Sequence, residues 1–139
     1  IALSPDGRWA YLAVSRAFGQ VVTPAGNRLL VIDTETNSIV GQVQLGDETL
    51  GPVGVAVAPD GSRVYVTHLG RNTVEVIDPA KRTVVESIQV GTQPVGIDIS
   101  AQGDRLYVAN RVDSTLSAVD LATPGTSGAG ATASCKPFP

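Results

Sequence analysis

Between Pro52 and Gly91 the apolar positions fall into four short runs, residues 53–58, 63–67, 73–77 and 83–90, each rich in β-branched side chains. Turn-forming residues separate them: Pro59-Asp60-Gly61, then Leu69-Gly70-Arg71-Asn72, then residues 78–82. Runs of this length bounded by Gly, Pro, Asp and Asn predict strands. Connections of three to five residues leave no room for a crossover helix, so each strand pairs antiparallel with the next. The stretch is a four-stranded meander, its strands A to D in chain order.

The unit recurs on both sides. Downstream, Pro94-Val95-Gly96 repeats Pro52-Val53-Gly54, Arg105-Leu106-Tyr107-Val108 repeats Arg63-Val64-Tyr65-Val66, and Val119-Asp120 repeats Ile77-Asp78, all 42 residues on. Upstream, Ser4-Pro5-Asp6-Gly7 matches Ala58-Pro59-Asp60-Gly61, and residues 39–46 match residues 84–91. A four-strand unit repeating at just over 40 residues marks β-propeller blades. The expected fold is all-β, with repeats at 1–46, 52–91 and 94–122. The end repeats are expected to be incomplete. The first starts inside strand A, and the third lacks strand D because residues 123–139 read as a flexible Gly/Ala/Ser/Thr-rich tail. Closed propellers need about four to eight blades, so the chain is expected to be part of a larger or oligomeric propeller.

Composition narrows the function. With 42% apolar and 17% charged residues the 139-residue chain is globular, and with 4% aromatics its core must rest on Val, Ile, Leu and Ala. A net charge of −3 gives no support for nucleic-acid binding. No apolar run is long enough to span a membrane, and a lone cysteine, Cys135, supports neither a disulfide framework nor a Cys-rich metal site.

The repeats differ chiefly in two connections. From Tyr11 to Asp33 is 22 residues, against 13 for Tyr65 to Asp78 and for Tyr107 to Asp120, so the first B–C loop carries extra residues within 16–27. The first D–A connection, residues 46–51, is also longer than residues 91–93. Both changes fall at one end of the meander. Function on a repeat scaffold collects in its loops, so the B–C/D–A end is the expected working face, against the plainer reading of a tolerated insertion.

Several motifs place the chain near a family. Arg63-Val64-Tyr65-Val66-Thr67, Arg105-Leu106-Tyr107-Val108-Ala109-Asn110, Asn72-Thr73-Val74-Glu75-Val76-Ile77-Asp78 and Pro94-Val95-Gly96-Ile97 resemble the repeat of the YVTN-family β-propeller proteins of bacteria and archaea, over residues 1 to about 122. The resemblance implies a propeller, commonly seven-bladed, an exported location in the periplasm or on the cell surface, and a binding role. Related propellers include lactonase-type enzymes and the large subunits of amine dehydrogenases. The chain departs from the pattern at Thr67-His68, where Thr-Asn is expected, in its small number of blades, and in the first B–C loop.

No catalytic constellation emerges, and no cofactor or metal is expected. His68, the single histidine, follows strand B and reads as a loop residue, a polar contact to a partner, or a metal ligand whose companions would have to come from other blades. Arg16, Arg71 and Arg111 all fall in B–C loops, with Asn72 and Asn110 beside them. Arginine forks on one rim suit a carboxylate or phosphate; ordinary solvated arginines paired with Asp47, Glu48 or Asp113 are the alternative. Asp98 stands on the innermost strand where the other repeats have Ala2 and Ala56, as a hydrogen-bonded residue or a channel-lining ligand group. Asp33, Asp78 and Asp120 read as caps of the C–D turn, Tyr11, Tyr65 and Tyr107 as blade-packing residues, and Trp9 as cover for a sheet edge. The expected function is a non-catalytic scaffold binding a protein or small ligand, with a homo-oligomer or further blades completing it. A segment of a propeller oxidoreductase or lactonase is the alternative.

Overall fold

The alternation of apolar and polar positions resolves into twelve strands in the structure, a computed structural model that describes residues 1–15, 26–46, 50–121 and 132–137. They form three four-stranded antiparallel sheets, each in simple chain order. The first holds β1 (Ala2–Leu3), β2 (Trp9–Val14), β3 (Arg28–Asp33) and β4 (Ser38–Gln44); the second β5 (Pro52–Val57), β6 (Val64–His68), β7 (Thr73–Asp78) and β8 (Thr83–Gln89). The third holds β9 (Pro94–Ile99), β10 (Arg105–Asn110), β11 (Thr115–Asp120) and β12 (Thr132–Pro137).

Strand β12 corrects the reading of the third repeat. A fourth strand exists, carried by Thr132–Pro137 within the stretch expected to be a flexible tail, and its residues pair with β11 from Thr115↔Pro137 to Asp120↔Thr132. It carries none of the Val and Gly pattern of β4 and β8. An edge strand needs only backbone hydrogen bonds on one side, so a polar sequence at unexpected spacing suffices. The connection through residues 122–131 lies outside the described residues.

Turn chemistry sets the ends of the sheets. Each A–B turn holds a glycine with positive φ, Gly7, Gly61 and Gly103, at 71°, 72° and 74°, a conformation that a Cβ makes costly. The first two C–D turns are capped as expected, and the connection after Asp120 lies outside the described residues. The Asp33 Oδ1 accepts the N–H groups of Glu35 and Thr36, and the Asp78 Oδ1 those of Ala80 and Lys81.

These donors hold both carboxyls below the usual range, the Thr36 N–H foremost for Asp33 and the Lys81 N–H for Asp78. Asp113 is lowered first by the Thr92 N–H, and Asp6 and Asp60 first by the hydroxyls of Ser4 and Ser62. A carboxyl whose folded pKa lies below its unfolded value of 3.8 contributes stability that is present above that value and lost as pH falls through the folded one. The urea midpoint is therefore expected to stay level from about pH 7 to about pH 5 and to fall below about pH 4. A midpoint that rises on acidification would contradict this assignment.

The core lies between sheets, not within them. Tyr11, Leu29, Val31, Val43 and Leu45 of the first sheet bury against Val64, Val66 and Ile77 of the second. The opposite face of the second sheet, with Tyr65, Val74, Val76 and Ile88, buries against Leu106, Val108 and Val119 of the third. The rule is the same at both seams: the tyrosine face of one sheet meets the branched-aliphatic face of the next. Every residue of β7 is consequently buried, whereas β3 and β10 are covered on one face. The first strands pack most closely, β1 and β2 against β5 and β5 against β9, so the sheets fan outward from them.

Candidate functional site

The A–B and C–D turns lie at one end of the fan, and there the seam between the first two sheets opens into a cavity of about 470 Å³. That volume is within the range of small-molecule sites. At this end of the first seam it is lined by Trp9 and Tyr11 on β2 and by Val31 opposite Tyr11 on β3. Trp9 and Tyr11 share a face because side chains two apart on a strand project the same way.

A register exchange puts the indole there. In the second and third sheets the residue opposite the last aspartate of strand C is an arginine. Arg105 pairs with Asp120 at 2.7 Å, and the Arg63 guanidinium lies 3.8 Å from Asp78. In the first sheet that place is held by Trp9, opposite Asp33, and the arginine moves back one position. Arg8 reaches Asp33 at 2.8 Å, also pairs with Glu35, and stands 5.2 Å from the Trp9 ring centroid. The cation on the indole fixes the ring. Trp9 thus packs against the first seam and walls the cavity, which corrects the expectation that it covers a sheet edge.

The walls carry charge of both signs. Asp6 and Asp60 come from successive A–B turns. The Asp6 Oδ1 accepts from the Ser4 hydroxyl at 2.5 Å and the Arg8 N–H at 3.0 Å. The Asp60 Oδ1 accepts from the Ser62 hydroxyl at 2.7 Å and its N–H at 2.9 Å. Both carboxyls are therefore ionised at neutral pH, and burial together with the Asp6 charge pushes the Tyr11 hydroxyl up. Across from them Arg82 comes from the C–D turn of the second sheet. It adopts φ 57°, where the equivalent residue of the first C–D turn is Asn37 at 53°. Left-handed backbone is costly for a long side chain and tolerated by Asn. The guanidinium reaches Gly41 on β4, where a Cβ would lie 2.7 Å from its Cζ. Among the described residues no carboxylate pairs with Arg82.

Of the residues expected to bind, His68, Asn72 and Asn110 make contacts within the scaffold, and Arg71, Arg111 and Asp98 are exposed. His68 ends β6, fully buried, with Nε2 3.1 Å from the Leu45 carbonyl of the first sheet. Asn110, at the same position of β10, is buried and donates from Nδ2 to Thr115 and Ser117 hydroxyls at 2.9 Å. Asn72 has φ 58° and accepts the Gln93 N–H at 2.9 Å. Arg71 and Arg111 are exposed, Arg71 lying 3.7 Å from the buried Glu75 carboxylate, which also accepts from Ser87 and Thr73. Asp98 is exposed on the open face of the third sheet, opposite Tyr107, accepting the Ile99 N–H at 2.8 Å. Arg16 and most of the lengthened loop lie outside the described residues, as do residues 47–49. Sequence reasoning passed over Trp9, Arg82, Asp6 and Asp60 as site residues. Two signals marked Trp9 and Arg82, the tryptophan in an arginine register and the arginine where the sibling turn has Asn37, and none marked the repeated turn residues Asp6 and Asp60.

Among solved structures the chain is similar to Kuenenia stuttgartiensis hydrazine synthase, with a TM-score of 0.68 and 29% identity over 85% of this chain and 31% of that one. It is also similar to the β-propeller domain of Myceliophteria thermophila Cps50 (Swd1), with a TM-score of 0.71 and 10% identity over 96% of this chain and 37% of that one. The chain is built of β-propeller blades. Each sheet described above is one blade, and the three span about a third of either structure. A curated relative, the PE-PGRS family protein PE_PGRS18 of Mycobacterium tuberculosis (strain ATCC 25618 / H37Rv), is 58% identical over 40 residues, 29% of this chain and 8% of its own length. No protein-family model matches the sequence.

Proposed function

We propose that these blades form a non-catalytic binding module of the YVTN type, exported to the periplasm or cell surface, which takes a small ligand at the seam of the first two blades. The cavity of about 470 Å³ walled by Trp9 and Tyr11 carries this reading. Convergent aromatic and charged groups in a concave site favour ligand binding. No nucleophile–base pair stands in the lining, and the Ser4 hydroxyl is tied to Asp6. Further blades, from a longer chain or a second copy, complete the ring.

Two other readings have one observation each. The lengthened first B–C loop favours a protein partner at the opposite end. The 29% identity to a chain of hydrazine synthase favours a segment of a propeller enzyme.

Trp9 is the sole tryptophan, so its fluorescence reports on the cavity directly. Titration with n-butylamine, butyrate, glucose and L-leucine is expected to give a saturable change with at least one of the four. No saturable response from any of them would sink the cavity reading, and the B–C/D–A face would take its place.

A further inference from the structure

The two signs of charge in the cavity do not neutralise each other. Ion pairing needs an approach within about 4 Å, and none is formed between Arg82 and either Asp6 or Asp60. The carboxylates enter from the A–B turns, whereas the guanidinium lies over Gly41 at the β4 side, and Trp9 and Tyr11 line the same cavity. Asp6 and Asp60 each engage Oδ1 with their own turn, leaving Oδ2 for another donor. Arg82 holds this place in a left-handed backbone conformation that the equivalent turn of the first sheet gives to Asn37.

We propose that the cavity binds a small zwitterion bearing an ammonium and a carboxylate on an apolar body, of the class of free amino acids. The inference rests on the binding reading above. The ammonium meets the Oδ2 atoms of Asp6 and Asp60, the carboxylate meets the Arg82 fork, and the apolar body lies against Trp9 and Tyr11. A plain cation finds Arg82 repelling it, and a plain anion finds the two aspartates repelling it. Only a ligand with both charges satisfies all three groups.

The test is a set of Trp9 fluorescence titrations with L-leucine, N-acetyl-L-leucine and L-leucinamide. Leucine is expected to bind at least tenfold more tightly than either capped analogue. Gly41→Ala keeps every charge and displaces only the flexible Arg82 head. It is expected to weaken leucine about tenfold without weakening leucinamide, as is Arg82→Gln, which also removes the charge that repels leucinamide. Asp60→Asn retains the acceptor oxygen that caps its turn, and is expected to reduce the discrimination against the acetylated analogue, with Asp6 still in place. Equal binding of the three probes overturns the proposal, as does silence of leucine. If leucine is silent while n-butylamine, butyrate or glucose saturates, the zwitterion falls and the cavity reading stands. If nothing saturates, the zwitterion and the cavity reading both fall.

Discussion

Replacing Gly54 by Ala is expected to lower the stability by about 2 kcal/mol, within the range for an extra methyl group forced into a packed seam. The same change at Gly96 is expected to shift it by less than about 0.5 kcal/mol, as at a surface position. The two glycines occupy the same place in the same motif, Pro52-Val53-Gly54 and Pro94-Val95-Gly96, so local propensity cannot separate them. Their surroundings do. A Cβ at Gly54 would lie 2.4 Å from the Val95 carbonyl oxygen and 3.0 Å from both Ile97 Cγ2 and Thr67 Oγ1. The nearest contact is backbone of the next blade, so relief requires the blades to part. Parting them strains a bridge, because the buried Thr67 hydroxyl accepts the Gly54 N–H at 2.8 Å and donates to the Val95 carbonyl at 3.1 Å. A buried polar group left without its partner costs about 1–3 kcal/mol. At Gly96 the nearest atom to a Cβ is the Ala109 Cβ at 3.7 Å, an ordinary contact. Urea denaturation of the two variants decides the matter. Equal losses would mean that the motif glycine serves the strand and not the seam. If a further blade docks on the third sheet, Gly96 acquires the role of Gly54, and Gly96→Ala then weakens assembly.

The meanders could be read from the chain because their information is local. Asp-Gly and Pro-Asp-Gly turns and β-branched runs each act within a few residues, and the 42-residue spacing repeats them along the chain. They gave the expected order of eleven strands. Strand β12 escaped because an edge strand is specified by its neighbour's free backbone and not by a pattern of its own. The candidate cavity escaped for a different reason. Differences in loop length pointed to the B–C/D–A end, where His68, Asn72 and Asn110 prove to tie the blades and turns together. The cavity depends on which side chains meet across a seam. Trp9 and Arg82 are separated by more than seventy residues along the chain, and only the stacking of two blades brings them to one wall. Comparing the repeats residue by residue, rather than loop by loop, exposes both substitutions.

The three strand-B tyrosines should respond very differently to truncation, although the sequence presents them as equivalent. Tyr11 and Tyr65 are 4% and 5% exposed, whereas Tyr107 is 40% exposed. Tyr65→Ala removes a ring packed against Leu106, Val108 and Val119 of the next blade and is expected to cost about 3–5 kcal/mol, as large-to-small changes in a core do. A domain of this size has only about 5–15 kcal/mol in reserve, so the variant should unfold at markedly lower urea. Tyr107→Ala in the isolated chain should cost less than about 1 kcal/mol, because no blade covers its face. That face is the partner the stacking rule leaves unmatched. At the other end of the fan, Leu12, Leu30 and Ile32 of the first sheet form the branched-aliphatic face that a tyrosine face would meet, and they are only partly buried. The two open faces are complementary and heterologous, so repeated pairing either closes a ring or grows without limit. Two copies would close a ring of six blades. If a second copy completes the propeller, light scattering on a size-exclusion column gives twice the chain mass. Tyr107→Arg then returns it to the mass of one chain without changing the monomer's fold. If the missing blades belong to a longer chain, the three-blade piece runs as a monomer or an aggregating ladder, and Tyr107→Arg suppresses the ladder. An assembly that survives Tyr107→Arg would place the contact elsewhere and break the stacking rule inferred from the two closed seams.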